Sequence, residues 1–121
     1  MEQVTLVLGA STRPERFSNK AVLRLQKFSY PVIALGLRED YIGNILIRKG
    51  MPGDLGPVHT IAMYLGADNQ KQYYEYIISL KPARIVFNPG TINPELADLA
   101  RRNGIRTVND CVLDMLNCGR Y

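Results

Sequence analysis

The sequence predicts one α/β domain over residues 1–121, an open, doubly wound, mainly parallel sheet of five strands with helices on both faces. Three observations carry that expectation. Short, nearly continuous apolar runs recur along the chain, as strands buried on both faces require. Between them, apolar residues repeat at helical spacing. The two kinds of segment alternate, and glycines at 9, 36, 66 and 90 mark the ends of runs, as strand-to-helix turns do.

Val4 to Leu8 is the first strand, broken at Gly9. A polar loop with Arg13, Pro14 and Arg16 follows, and then a helix in which Ala21, Val22, Leu25 and Phe28 share a face, with Ser18 or Asn19 as its N-cap. Ser29-Tyr30-Pro31 turns the chain into a second strand, Val32 to Leu35. Residues 41–58 carry Gly43, Gly50, Gly53, Gly56, Pro52 and Pro57 among short apolar patches, and read as a loose connection with one small edge strand at most. Thr60 to Leu65 is a third core strand ending at Gly66. Asp68 or Asn69 caps the next helix, whose apolar face is Tyr73, Ile77 and Leu80, widened by Tyr74 and Ile78. Its tyrosines, at helical spacing, read as packing rather than as a stacking platform. Pro82 stops that helix, and Arg84 to Asn88 forms a strand. Asn93-Pro94-Glu95 is a helix start with a capping residue and proline at the first helical position, and Gly104 closes the helix. Ile105 to Val108 is the last strand, and Val112, Leu113 and Leu116 mark a terminal helix.

Composition bounds the function. An apolar content of 46% over 121 residues suits one globular domain that buries about two thirds of its unfolded surface. No apolar run approaches the length of a membrane span, and Met1-Glu2-Gln3 lacks the basic start of a signal peptide. Cys111 and Cys118 fall in one helical segment about 10 Å apart along its axis, too far for a bridge, which predicts a reduced, cytoplasmic protein. A net charge of +4 suits an anionic ligand. The basic residues are scattered, without the dense clusters of a nucleic-acid surface, which argues against nucleic acid as the main partner.

The first strand, glycine turn and helix make half of a nucleotide-binding βαβ unit, in which backbone N–H groups and the helix dipole face an anion. The dinucleotide fingerprint G-x-G-x-x-G is absent, because Ser11 and Pro14 stand where it needs glycine. Ser11 can offer a hydroxyl and an N–H to phosphate, and the loop arginines add positive charge. The second strand ends at Gly36-Leu37-Arg38, where NAD-binding domains commonly carry an acid for the ribose. Arg38 favours a phosphorylated ribose, and the following Glu39 and Asp40 keep an NAD arrangement open. Right-handed crossovers bring Gly9, Arg38, Gly66 and Gly90 to the carboxyl edge, the binding edge of a Rossmann-like sheet.

The succession of motifs resembles a family. Gly9-Ala10-Ser11, Pro14, Arg16 and Ser18 are similar to the "GAS-x-x-P-x-R-x-S" opening of small, stand-alone CoA-binding proteins. These in turn resemble the CoA-binding Rossmann-like domain of the succinyl-CoA synthetase α subunit. Tyr30-Pro-Val-Ile-Ala-Leu resembles the family's "G-Y-x-V-I-P-V" strand, Gly43 falls near its loop glycine, Asn88-Pro-Gly-Thr-Ile-Asn-Pro-Glu resembles "L-Q-x-G-I-x-x-E-E-A", and Asn109-Asp-Cys resembles "D-R-C". Ala34 and Leu37 depart from its "P-V-N-P" prolines, and Asn88-Pro89 from its "L-Q". The resemblance implies coenzyme A or an acyl-CoA as ligand. Backbone donors around Gly9, Ala10 and Ser11 would hold the pyrophosphate, Arg16 and Ser18 would help through their side chains, and Arg38 would meet the ribose phosphate, with Gly66 and Gly90 at the same edge.

No catalytic or metal set emerges from the sequence. His59, the single histidine, lies at the start of the third strand, away from the binding edge. The phosphorylated histidine of the synthetase belongs to a second domain, and zinc spacing, a G-x-S-x-G elbow and a P-loop are missing. Cys111, at a helix start, reads as a packing cysteine or as a thiol able to meet that of CoA. The sequence therefore predicts a CoA-binding module without chemistry of its own. The alternatives are an NAD(P)-binding oxidoreductase-like domain, a subunit of an acyl-CoA ligase working with a separate partner, and a scaffold with a vestigial pocket. A protein partner or homo-oligomer stays open.

Overall fold

The computed structural model describes residues 3–121, so the reading of Met1-Glu2 lies outside the described residues. The strands are β1 (Thr5–Ala10), β2 (Val32–Gly36), β3 (Asp40–Ile42), β4 (Ile45–Arg48), β5 (Thr60–Met63), β6 (Arg84–Phe87) and β7 (Arg106–Asn109). The helices are α1 (Phe17–Lys27), α2 (Ala67–Gln70), α3 (Tyr74–Leu80), α4 (Pro94–Arg102) and α5 (Val112–Asn117), with a 3₁₀ turn at Lys71–Tyr73 joining α2 to α3.

The sheet order is β3-β4-β2-β1-β5-β6-β7, which corrects the expected five strands to seven. Pairing is parallel except for β3 against β4. The two added strands form a hairpin in the region read as a loose connection, and β4 docks parallel on β2, with Ala34 opposite Ile47. Ile47 is buried and its neighbour Leu46 exposed, so the alternation of a half-buried strand is present, but over four residues only. The edge of β2 stabilises a segment too short to declare itself.

The sheet is covered on both faces, as doubly wound connections require. On one face Leu6, Leu8, Ile61, Met63, Ile85 and Phe87 pack against Tyr73 and Ile77 of the α2–α3 segment and Leu96 and Ala100 of α4. On the other, Val7, Ala34, Ala62 and Val86 pack against Val22 and Leu25 of α1 and Met115 and Leu116 of α5. At the amino edge Arg84 is buried, donates to Thr60 Oγ1 at 2.9 Å and lies 4.5 Å from the Tyr121 ring.

Two expected caps are corrected. The N-cap of α1 is Arg16, not Ser18 or Asn19. A turn from the Arg13 carbonyl to the Arg16 N–H starts the helix early, and Asn19 Nδ2 reaches back to the Ser11 carbonyl at 2.9 Å. Likewise Gly66, rather than Asp68 or Asn69, precedes α2. Asn93 caps α4 as expected, its Oδ1 accepting from the N–H groups of Glu95 and Leu96.

Candidate functional site

The chain leaves β1 in the middle of the sheet, with β2 on one side and β5 on the other. Helices α1 and α2 then depart on opposite faces, which opens a crevice at the carboxyl edge. That crevice is a cleft of about 830 Å³, and each expected position opens onto it: Gly9, Ala10, Ser11, Arg16, Ser18 and Arg38, and from the far side Gly66 and Gly90.

Its first wall is the turn after β1. Gly9 has φ +102°, and a Cβ there would come within 3.0 Å of the Tyr64 backbone and 3.1 Å of the Leu65 nitrogen. The register shifts between Leu8 and Ala10, so a bulge at Gly9 aims the following residues into the cleft. Ser11 Oγ accepts from the Arg13 N–H at 3.2 Å. The first turn of α1 has neither a side-chain cap nor an acidic residue, and its N–H groups give this end the helix's positive charge.

The second wall is the end of β2. Gly36 pairs with Ala10, and a Cβ on it would lie 2.5 Å from the Ala10 carbonyl oxygen, so the two backbones meet here with no room for a side chain. Beyond it Leu37 is 84% exposed and Arg38 is exposed. Asp40 also lines the cleft and takes the Tyr41 N–H on Oδ1, whereas Glu39 does not line it. Among the described residues Arg13, Arg16 and Arg38 form no ion pair.

The far wall comes from the loops after β5 and β6. Pro89-Gly90 makes a turn in which the Thr91 N–H donates to the Asn88 carbonyl, and φ +87° at Gly90 fits the third position of a type II turn. Asn88 is nearly fully buried; its Nδ2 donates to the Met63 carbonyl and its Oδ1 accepts from the Val112 N–H, both at 2.9 Å. It therefore joins β5, β6 and the start of α5. Sequence reasoning missed Asn88 as a cleft residue; its signal was an amide directly after the apolar run Ile85-Val86-Phe87.

Tyr64 and Cys111 also line the cleft. The Tyr64 hydroxyl is buried without a hydrogen-bond partner among the described residues. Burial raises its pKa well above that of an ordinary phenol, with smaller contributions from Cys111 and Tyr121. Cys111 is half-buried at the N-cap of α5, and both cysteines are free. His59 lies at the other end of the sheet, its Nδ1 2.8 Å from Thr60 Oγ1. Among the described residues no three His, Cys, Asp or Glu side chains gather as a metal site, and no helix is long and apolar enough to cross a membrane.

A parallel sheet wound on both faces, with a cleft at its switch point and an uncapped helix end facing that cleft, defines a Rossmann-like α/β domain. The chain belongs to the family described as CoA binding domain, which matches residues 3–117. Among solved structures, one described only as an uncharacterized protein is 36% identical, with TM-score 0.94 and coverage of 100% of this chain and 99% of that one. A hypothetical protein from Pyrococcus horikoshii OT3 is 20% identical, with TM-score 0.86 over 97% of this chain and 82% of its own. A Thermus thermophilus structure is 21% identical, with TM-score 0.84 and coverage of 99% and 91%. The latter two show a shared fold. No curated protein matches the chain.

Proposed function

We propose that this protein binds coenzyme A, or an acyl-CoA, in the cleft and performs no chemistry on it alone. One observation carries the reading: Arg13, Arg16 and Arg38 line the cleft around an uncapped helix N-terminus, against Asp40 as the one carboxylate in its lining among the described residues. CoA presents a diphosphate and a ribose 3′-phosphate, an anionic string that such a surface neutralises. In this reading the backbone N–H groups of Gly9, Ala10 and Ser11 hold the diphosphate, with the turn at Arg16 and Ser18. Ser18 is 5% exposed, so it contributes through its backbone more than through its hydroxyl. Arg38 meets the 3′-phosphate, and the pantetheine arm runs past Gly66 and Gly90.

The non-catalytic part rests on chemistry. His59 is far from the cleft, and the titratable side chains in its lining are arginines, Asp40, tyrosines and Cys111, without a nucleophile–base pair in hydrogen-bond contact. A partner subunit could supply catalysis, as in an acyl-CoA ligase. A second reading, an NAD(P) site, is favoured by Asp40 alone, since a carboxylate near the end of β2 can take ribose hydroxyls. A thermal-shift panel with CoA, acetyl-CoA, NAD and NADP tests both, because a ligand of the folded state raises stability with its concentration. CoA giving the largest shift supports the proposal. NAD giving it overturns the proposal in favour of the second reading.

A further inference from the structure

We infer that Gln70 and Asn93 are positioning residues, whose interlocked side-chain amides clamp the loop after β5 to the loop after β6 and so set the width of the cleft half farther from Arg38. The inference rests on the CoA reading, in which that half receives pantetheine. Gln70 is fully buried at the end of α2, one turn after Gly66. Its Nε2 donates to the Leu65 carbonyl at 2.8 Å and to the Thr91 carbonyl at 2.7 Å, one from each loop. Its Oε1 accepts from Asn93 Nδ2 at 3.0 Å. The second Nδ2 proton of Asn93 goes to the Tyr74 hydroxyl at 2.8 Å, which donates to Glu95 Oε1 at 2.9 Å. Asn93 Oδ1 caps α4.

Every amide proton on the two side chains is thus used, and both Nε2 acceptors are carbonyls, which fixes the amide orientation. Leu65 and Thr91 themselves line the cleft. A satisfied buried network holds its members in one arrangement, since releasing any of them leaves a buried polar group unpaired. The Gln70 amide defines a distance: it joins two loops that no strand pairing reaches, because β5 ends at Met63 and β6 at Phe87. Without it, the Leu65 and Thr91 carbonyls lose their shared donor and the loops separate.

Calorimetry on wild type, Gln70→Leu and Asn93→Asp, with CoA and with adenosine 3′,5′-bisphosphate as probes, tests this. The second probe carries the adenosine phosphates without pantetheine. Asn93→Asp keeps the acceptor for α4 while losing the donors to Gln70 and Tyr74, so it remains informative if Gln70→Leu does not fold. Both variants are expected to bind CoA about tenfold more weakly, the scale of one lost buried hydrogen bond. Affinity for the bisphosphate should stay within about twofold. Equal losses for both probes, or undiminished CoA affinity, overturn the inference. Amide exchange in the ligand-free proteins separates the two failures. Faster exchange at 65–69 and 90–91 together in the variants supports the clamp even if wild type binds neither probe, a result that sinks the CoA reading; unchanged exchange overturns the clamp.

Discussion

Gly36→Ala should damage the protein at the point where its cleft is built. The added Cβ would stand 2.5 Å from the Ala10 carbonyl oxygen and 2.9 Å from Ile47 Cγ2. An ordinary carbon-to-oxygen approach is about 3.3 Å, so the Ala10 backbone must retreat by about 0.8 Å. No rotamer absorbs that, because the obstructing atom belongs to the main chain. Overpacking of this kind costs ~1–3 kcal/mol. At about 4 °C per kcal/mol for a domain of this size, the unfolding midpoint should fall by roughly 4–12 °C. Ala10 follows the Gly9 bulge and lines the cleft, so the same displacement should weaken CoA binding. Gly53→Ala is the control: nothing lies within 4 Å of its Cβ and its φ is not in the left-handed region, so stability should change by less than ~0.5 kcal/mol. Thermal and urea unfolding of the three proteins, followed by calorimetry with CoA, gives both numbers. A Gly36→Ala protein that melts with wild type and binds CoA equally well would refute the claim that this backbone contact fixes the cleft wall.

Arg16→Ala should weaken CoA binding by roughly 1.5–3 kcal/mol, the range for a charge-assisted bond, while ligand-free stability moves by less than ~0.5 kcal/mol; calorimetry and melting check the two halves. Wild type should prefer CoA to dephospho-CoA by ~1–3 kcal/mol, and Arg38→Ala should reduce that preference, as should added salt, because Arg38 is exposed; equal affinities in wild type would make Arg38 a surface charge only. Burial, then Arg84, then Arg106 lower the His59 pKa below 6.5. The unfolded state therefore binds more protons just below pH 6.5, so His59 contributes stability at neutral pH that is lost as pH falls from 6.5 through its folded-state value. His59→Gln should melt with a shallower slope than wild type between pH 7.5 and 5, and parallel slopes would contradict this.

The core strands were legible because burial on both faces leaves no freedom in composition. Leu6, Val7 and Leu8 are apolar in succession since each face of β1 meets a different helix layer. The start of α4 was legible for a local reason, as Asn93 and Pro94 act on the first helical turn alone. The β3–β4 hairpin was not. Its exposed Tyr41 and Leu46 are large hydrophobic side chains on the solvent side, so burial alternates where the sequence Ile45-Leu46-Ile47 does not, and β4 owes its existence to the free edge of β2. Ser18 and Asn19 misled for a related reason. Both have capping side chains, but the contact of Asn19 with Ser11 is a tertiary choice that propensity does not contain.

The cleft divides along the same line. Gly9 and Gly90 announced themselves because a positive φ at a strand end leaves glycine as the favoured residue. Arg38 could be placed because the end of β2 has one geometric relation to the switch point. Gln70, Asn88 and Asn93 could not be assigned to the cleft from sequence. Each looks like an ordinary polar residue at a helix or strand end, and its meaning lies in what it crosslinks: Gln70 joins the Leu65 and Thr91 carbonyls, Asn88 the Met63 carbonyl and the Val112 N–H, and Asn93 the Gln70 side chain to the cap of α4. The partners of Gln70 at Leu65 and Thr91 and those of Asn88 are backbone carbonyls and an N–H, which nearly every residue possesses, so changing the identity of the partner residue leaves little imprint on the amide that binds it. Pattern reading therefore finds the residues that face the cleft through their own conformation. It passes over those that hold the cleft in shape by binding another segment's backbone, and among these the packed amides beside α2 and α4 set the distance between the two far loops.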